Sequence, residues 1–280
     1  MPAVTVVFAC GCIHVEKQPT VREPAMVPAS GRQPTSRPEA ASQARTAAKS
    51  PAAPAIDPAA IQALERMGAF LREQRSFAIR SDTSTDDVLD NGQKVQFAEV
   101  VEMWVKRPNR MRVNVVSDAK RRQSFFDGKT FTLYSPRLGY YATFDAPPTL
   151  RELIDVAEQR YNLEFPLVDL FYWGTDKSGL KDIKTASSFG RSKVGDYDCD
   201  HYALQQNDVD WQIWIQRGAQ PLPRKLVITS KRELGQPQFT AVLGWNLEPK
   251  LNESAFMFEP PKGARRIVFE QAQNALRPGG

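Results

Sequence analysis

The sequence predicts a mainly β domain with a few helices, built as an antiparallel barrel or a strongly curved sheet of about eleven strands. Three observations predict it. Met111, Val113 and Val115 alternate with Arg110, Arg112 and Asn114, which gives one dry face and one wet face. Asn91-Gly92, Asp127-Gly128 and Ser135-Pro136 punctuate short runs of this kind, as turns between strands do. Helical spacing is confined to one segment ahead of the strands and one insertion among them.

The elements follow in order. Asp57-Pro58 opens a helix, with an acceptor at the N-cap and proline at the first helical position. Ile61, Leu64, Met67, Phe70 and Leu71 then form one apolar stripe to about Gln74. Phe77 and Ile79 begin the first strand. Val95, Phe97, Val101, Met103 and Val105 mark the second, and Met111 opens the third. Strands near 122–127, 130–135 and 139–145 precede a short helix capped by Thr149. An apolar stretch from Phe165 to Trp173 closes at Gly174. Strands near 181–193, 197–206, 209–216, 224–231 and 238–247 complete the domain.

Composition excludes little by itself. A net charge of +5 is modest, and aromatic residues do not interleave with Lys and Arg as an RNA-binding surface requires, so no nucleic-acid partner is expected. The charge fits a mild attraction to anionic lipid headgroups as well. Three cysteines cannot make a disulfide framework, so the core must stabilise the domain. No run of eighteen apolar residues exists to form a membrane-spanning helix.

Residues 1–15 are apolar at first and hold Val7-Phe8-Ala9-Cys10 and Ala9-Cys10-Gly11-Cys12, which resemble the end of a bacterial lipoprotein signal. The basic n-region of such a signal is missing, which one reading assigns to a start lying further upstream. On that reading Cys10 or Cys12 is acylated. An unstructured apolar terminus and a metal site from Cys10, Cys12 and His14 are the alternatives, the last lacking a fourth ligand. Residues 16–56 are rich in Pro, Ala, Ser and Thr with almost no large apolar side chain, the composition of a tether or a disordered tail. The folded domain is expected over 57–270, and residues 271–280 as a disordered tail.

An enzyme finds few residues to work with. His14 and His201 are the two histidines, and no nucleophile elbow, P-loop or dinucleotide fingerprint is present. Asp198-Cys199-Asp200-His201 is the one suggestive cluster, but on a strand Cys199 and His201 share one face while the aspartates point to the other. No catalytic residue, metal or cofactor is expected.

Three motifs in order carry a family resemblance. Val100 to Val113 joins two strand-like runs through Lys106-Arg107-Pro108-Asn109. Phe126-Asp127-Gly128-Lys129-Thr130-Phe131 follows, and Phe256-Met257-Phe258-Glu259-Pro260-Pro261-Lys262-Gly263 stands near the end. Together they resemble the periplasmic lipoprotein-carrier superfamily of LolA and LolB and its predicted-periplasmic relatives, over roughly residues 57–270. The resemblance implies an incomplete barrel whose opening is plugged by helices, a periplasmic location, and an acyl chain or other hydrophobic ligand inside; a lipidated Cys10 or Cys12 would add a tether to the outer membrane. It also implies that Arg107 bonds to the backbone of the lid helices and gates the cavity. The opposing possibility is that Pro108 forces a corner and Arg107 points to solvent. Met111 stands where the soluble carrier of the family has an aromatic.

By alternation, the cavity lining is Val101, Met103, Val105, Met111, Val113, Phe131, Leu133, Tyr140 and Phe144, with Trp211, Ile213, Ile215, Phe239, Leu243 and Trp245 from the later strands. Any small barrel fills itself with such residues, so each also reads as ordinary core. Two functions therefore stand at this point: a carrier or binder of lipid, and an interaction or envelope-sensing module with a self-filled barrel and a protein partner.

Overall fold

Asp57 accepts a hydrogen bond from the Ala59 N–H and Pro58 occupies the first turn, so α1 (Pro58–Glu73) starts where the cap chemistry places it. A computed structural model describes residues 55–270. The buried stripe of α1 is Ala60, Ala63, Leu64, Met67, Gly68 and Leu71. A first meander follows: β1 (Ser76–Val88), β2 (Lys94–Lys106), β3 (Arg110–Val116), β4 (Arg121–Phe126), β5 (Thr130–Ser135) and β6 (Tyr140–Asp145). Helices α2 (Leu150–Tyr161) and α3 (Asp169–Tyr172) interrupt the strands. A second meander then runs through β7 (Thr185–Val194), β8 (Tyr197–Gln205), β9 (Val209–Gln216), β10 (Pro223–Ser230) and β11 (Gln238–Asn246). A 3₁₀ turn over Glu253–Phe256 leads to β12 (Arg265–Ile267).

All twelve strands form one sheet in the order β12-β6-β5-β4-β3-β2-β1-β11-β10-β9-β8-β7. Antiparallel pairing of β1 with β11 joins the two meanders, from Ala78 opposite Asn246 to Thr85 opposite Phe239. The sheet does not close: β12 and β7 are its ends. One core cluster holds side chains from α1, α2, the α3 region and nearly every strand, so the sheet wraps around its helices as an incomplete barrel.

Two details depart from the expected layout. The twelfth strand, β12, pairs in parallel with β6, and it is three residues long, too short for any periodicity to reveal. Second, the proline- and alanine-rich stretch was expected to stay free through residue 56. Instead, the Ala186 N–H donates to the Ala55 carbonyl and the Asp57 N–H donates to the Ala186 carbonyl, both at 2.9 Å. The edge of β7 supplies backbone partners that composition cannot show. Cys10, Cys12 and the rest of residues 1–54, like 271–280, lie outside the described residues.

Candidate functional site

The concave wall of the sheet is the surface that alternation picks out. Val101, Met103, Val105, Met111, Val113, Phe131, Phe144, Trp211, Ile213, Ile215 and Leu243 are all between 0% and 8% exposed and share one core. Leu133, Phe239 and Trp245 pack against that core while partly buried. Tyr140 does not join it, which corrects the expected lining. Its position has inward parity, but it is the first residue of β6, at the sheet's end. There the Arg265 guanidinium lies 4.5 Å over its ring and donates to its hydroxyl.

The helices covering this wall form a unit tied to itself. Thr149 caps α2 by accepting from the Glu152 N–H while its hydroxyl donates to the Glu152 carboxylate at 2.7 Å. Asn162, in the left-handed region at φ 49, ends the helix by donating its N–H to Ala157 and Glu158. Beyond α3, Asp176 pairs with Arg151 at 2.8 Å and Lys177 pairs with Asp155 at 2.6 Å, which folds the turn at 175–178 back onto α2. Ties to the rest of the molecule are fewer. The Leu150 N–H donates to Pro108 at 2.9 Å, and the Gln206 side chain donates to Gly179 at 2.9 Å. Arg72 of α1 donates to the Gly174 carbonyl.

Arg107 stands at the joint between lid and sheet. It continues the inward parity of Val101, Met103 and Val105 past the end of β2, and its N–H donates to the Arg75 carbonyl at 2.7 Å. Its guanidinium enters the interior, 5.9 Å from the centre of the Phe77 ring on β1 and 5.6 Å from that of Phe171 on α3. The expected hydrogen bonds to lid backbone are not there: the buried Nε has no hydrogen-bond partner among the described residues. Contact with the lid is made through the face of an aromatic ring instead. Burial lowers the guanidinium pKa from its ordinary value, the signature of a cation held away from water.

Beside the lid a crevice with about 30 Å³ of free space is lined by Asp169, Tyr172, Trp173, Trp211, Leu226 and Ile228. That volume holds a water molecule or two and falls far below the roughly 300–1,000 Å³ of a small-molecule site. Burial pushes the Asp169 carboxyl up to about 6. The folded state thus keeps a proton that an unfolded aspartate, titrating near 3.8, gives up. Stability should fall as pH rises from about 4 to about 6 and then level off. Asp169→Asn should remove that fall and raise stability at pH 7 by roughly 1–3 kcal/mol, as checked by urea titration at pH 4 and pH 7.

Cys199 is fully buried, and burial pushes its thiol up. His201 stacks on Trp214 at 4.0 Å and its Nε2 meets the Gln212 side chain at 3.0 Å.

Parity alone missed the cover on the convex face. Phe258 lies 5.1–5.3 Å from the rings of Phe125, Tyr134 and Tyr141, all outward. Glu253 pairs with Arg110 at 2.9 Å and with Lys106, and Phe256 is fully buried. The segment after β11 is therefore a strap that crosses the outer face and delivers β12 to the far edge. Past β12 the chain turns inward, and Phe269 packs 5.4 Å from both Phe144 and Tyr161. The Phe256–Gly263 motif was the available signal for this strap.

Several solved structures match most of the chain. LprF from Mycobacterium bovis shares 11% identity, covering 76% of this chain and 100% of that one with a TM-score of 0.44. A LolA superfamily protein from Nitrosomonas europaea shares 11%, covering 71% and 97% with a TM-score of 0.36. The lipoprotein LppX from Mycobacterium tuberculosis shares 9%, covering 70% and 100% with a TM-score of 0.38. No curated protein matches the chain in sequence. A family profile does match, over residues 60–270, and the chain belongs to that family, described as Predicted periplasmic protein (DUF2092).

Proposed function

We propose that the domain binds an acyl chain or similarly long apolar ligand between the concave sheet and the lid of α2 and α3, and that the lid rises to admit it. The observation that carries this reading is Arg107. A guanidinium whose buried Nε lacks an acceptor is costly, because a desolvated donor forfeits the hydrogen bond it had in water. Such a group suits a joint that gains an acceptor in another state, and an ester, carboxylate or lid carbonyl would each serve. The apolar wall supplies the driving force, at about 0.8 kcal/mol per methylene removed from water. Its role is binding and not catalysis. Acylation of Cys10 or Cys12 would tether the domain to the outer membrane.

A specific observation favours a second reading. The expected lining residues other than Tyr140 are already packed in the protein's own core, as in a self-filled interaction module with a protein partner in the envelope. Native mass spectrometry of the full chain purified from a bacterial envelope separates the two. A binder emerges with extractable acyl lipid in a defined ratio. A self-filled module emerges at its bare mass, and with it the binding reading falls.

A further inference from the structure

The antiparallel order of the sheet puts five hairpin turns side by side at one end. They join β5 to β6, β3 to β4, β1 to β2, β10 to β11, and β8 to β9, and their strands are consecutive in the sheet. Three of these turns carry an exposed leucine: Leu138 at 68%, Leu89 at 42% and Leu234 at 87%. Scattered apolar side chains on a surface are ordinary. These are not scattered, and the other end of the sheet is their internal control. Its turns at 107–109, 127–129, 195–196 and 217–221 carry no exposed large aliphatic residue among the described residues.

Charge gathers at the same end. Arg121 and Arg122 begin β4, Arg137 sits beside Leu138, and Arg265 and Arg266 begin β12, all exposed. The segments are contiguous: Arg137 donates to the Asp118 carbonyl in the next turn, and the Arg265 N–H donates to the Gly139 carbonyl at 2.8 Å. None of these five arginines forms an ion pair among the described residues. Asp118 is the one carboxylate within 116–122, 135–140 and 265–268. Leu138 sits among these unpaired cations, while Leu89 lies between Asp87 and Asp90 and Leu234 follows Glu233. Aliphatic tips along one rim, with unpaired cations gathered at its β4, β6 and β12 side, match a surface that is anionic outside and apolar just beneath. A folded anionic protein would satisfy the arginines but would offer no apolar layer to three separate tips.

We infer that this rim docks the domain on an anionic membrane surface, with Leu138, Leu89 and Leu234 entering the headgroup layer and the arginines pairing with phosphates. The rim does not depend on the interior binding any ligand. Docking here would leave the Arg107 end of the half-barrel facing away from the bilayer.

The test uses the full chain, made without acylation, and vesicles of phosphatidylcholine with or without phosphatidylglycerol. Sedimentation should show binding to the anionic vesicles, weakened by salt. It should fall roughly tenfold or more in Arg121→Glu with Arg122→Glu, since each basic residue near such a surface adds substantially to attraction. Leu138→Asp and Leu234→Asp should each weaken binding while circular dichroism stays unchanged. In a Cys10→Ser, Cys12→Ser background, an environment-sensitive dye on Leu138→Cys should shift to the blue on binding, and one on Asp196→Cys at the opposite end should not. Equal binding to neutral vesicles, indifference to the charge reversals, or a shift at position 196 would each overturn the inference. So would capture by a soluble polyanion with no binding to anionic vesicles.

Discussion

Gly68→Val should loosen the lid from α1 while leaving the sheet intact. A side chain at Gly68 would place its Cβ 2.7 Å from the Gly174 nitrogen and 2.8 Å from the Gly174 Cα, both backbone atoms that cannot turn aside. Gly174 cannot give way by changing residue type either. Its φ is +77, and a Cβ there would strike Arg72 and the Gly68 backbone. Two glycines thus let the helix and the lid turn meet backbone to backbone, with the Arg72 guanidinium on the Gly174 carbonyl beside them. Overpacking of this kind costs about 1–3 kcal/mol, and a rigid contact belongs at the upper end. Gly68→Ala tests the same point more sharply. It gains up to about 1 kcal/mol of helix propensity, so a net loss would have to come from the clash. Both variants should cleave faster with protease between residues 163 and 182 and bind more of a hydrophobic dye. Wild-type stability in Gly68→Val would mean that the lid is held elsewhere.

Phe131→Ala should be the more damaging change. Its ring lies 5.2 Å from Phe144 on the sheet, 5.4 Å edge-on from Phe165 at the lid, and 6.5 Å from Phe269 at the end of the strap. It is 2% exposed, so truncation leaves a hole where three parts of the chain meet. The loss should be about 3–5 kcal/mol, a large fraction of the roughly 5–15 kcal/mol that holds a typical domain folded. Urea titration should show the midpoint falling with little change in slope. A loss under about 1 kcal/mol would mean that the neighbouring rings collapse into the space, and that the interior is more adaptable than its burial suggests.

Much of this was legible in the sequence because strand parity is a local property. Val209, Trp211, Ile213 and Ile215 alternate without a break, and every one is buried. The same rule carried Arg107 to the inside. Its environment was not legible, because Phe77 and Phe171 come from segments far apart in the chain and only folding brings them to the guanidinium. Tyr140 shows the limit of parity at strand ends: facing inward is not enough where the sheet stops. The convex face was misread for a related reason. Alternation divides a strand into two faces, but it does not say that the second is wet. Arg112 looks like a solvated residue, yet its guanidinium lies over the rings of Trp104 and Phe125. Adjacent Phe125 and Phe126, buried on opposite faces, were the clue that both sides of the sheet are covered. The basic rim escaped notice because its arginines come from three separate segments, which only the register of the sheet brings side by side.

Hydrogen exchange of residues 150–182 in the full chain, with and without a palmitoylated peptide, tests most directly whether the lid gives access to the interior. The peptide should bind, speed exchange across α2 and α3, and leave β2 and β3 as protected as before. Binding with an unchanged lid, or no binding even when Gly68→Val has loosened it, would contradict a gated half-barrel and leave a sheet that holds only its own side chains.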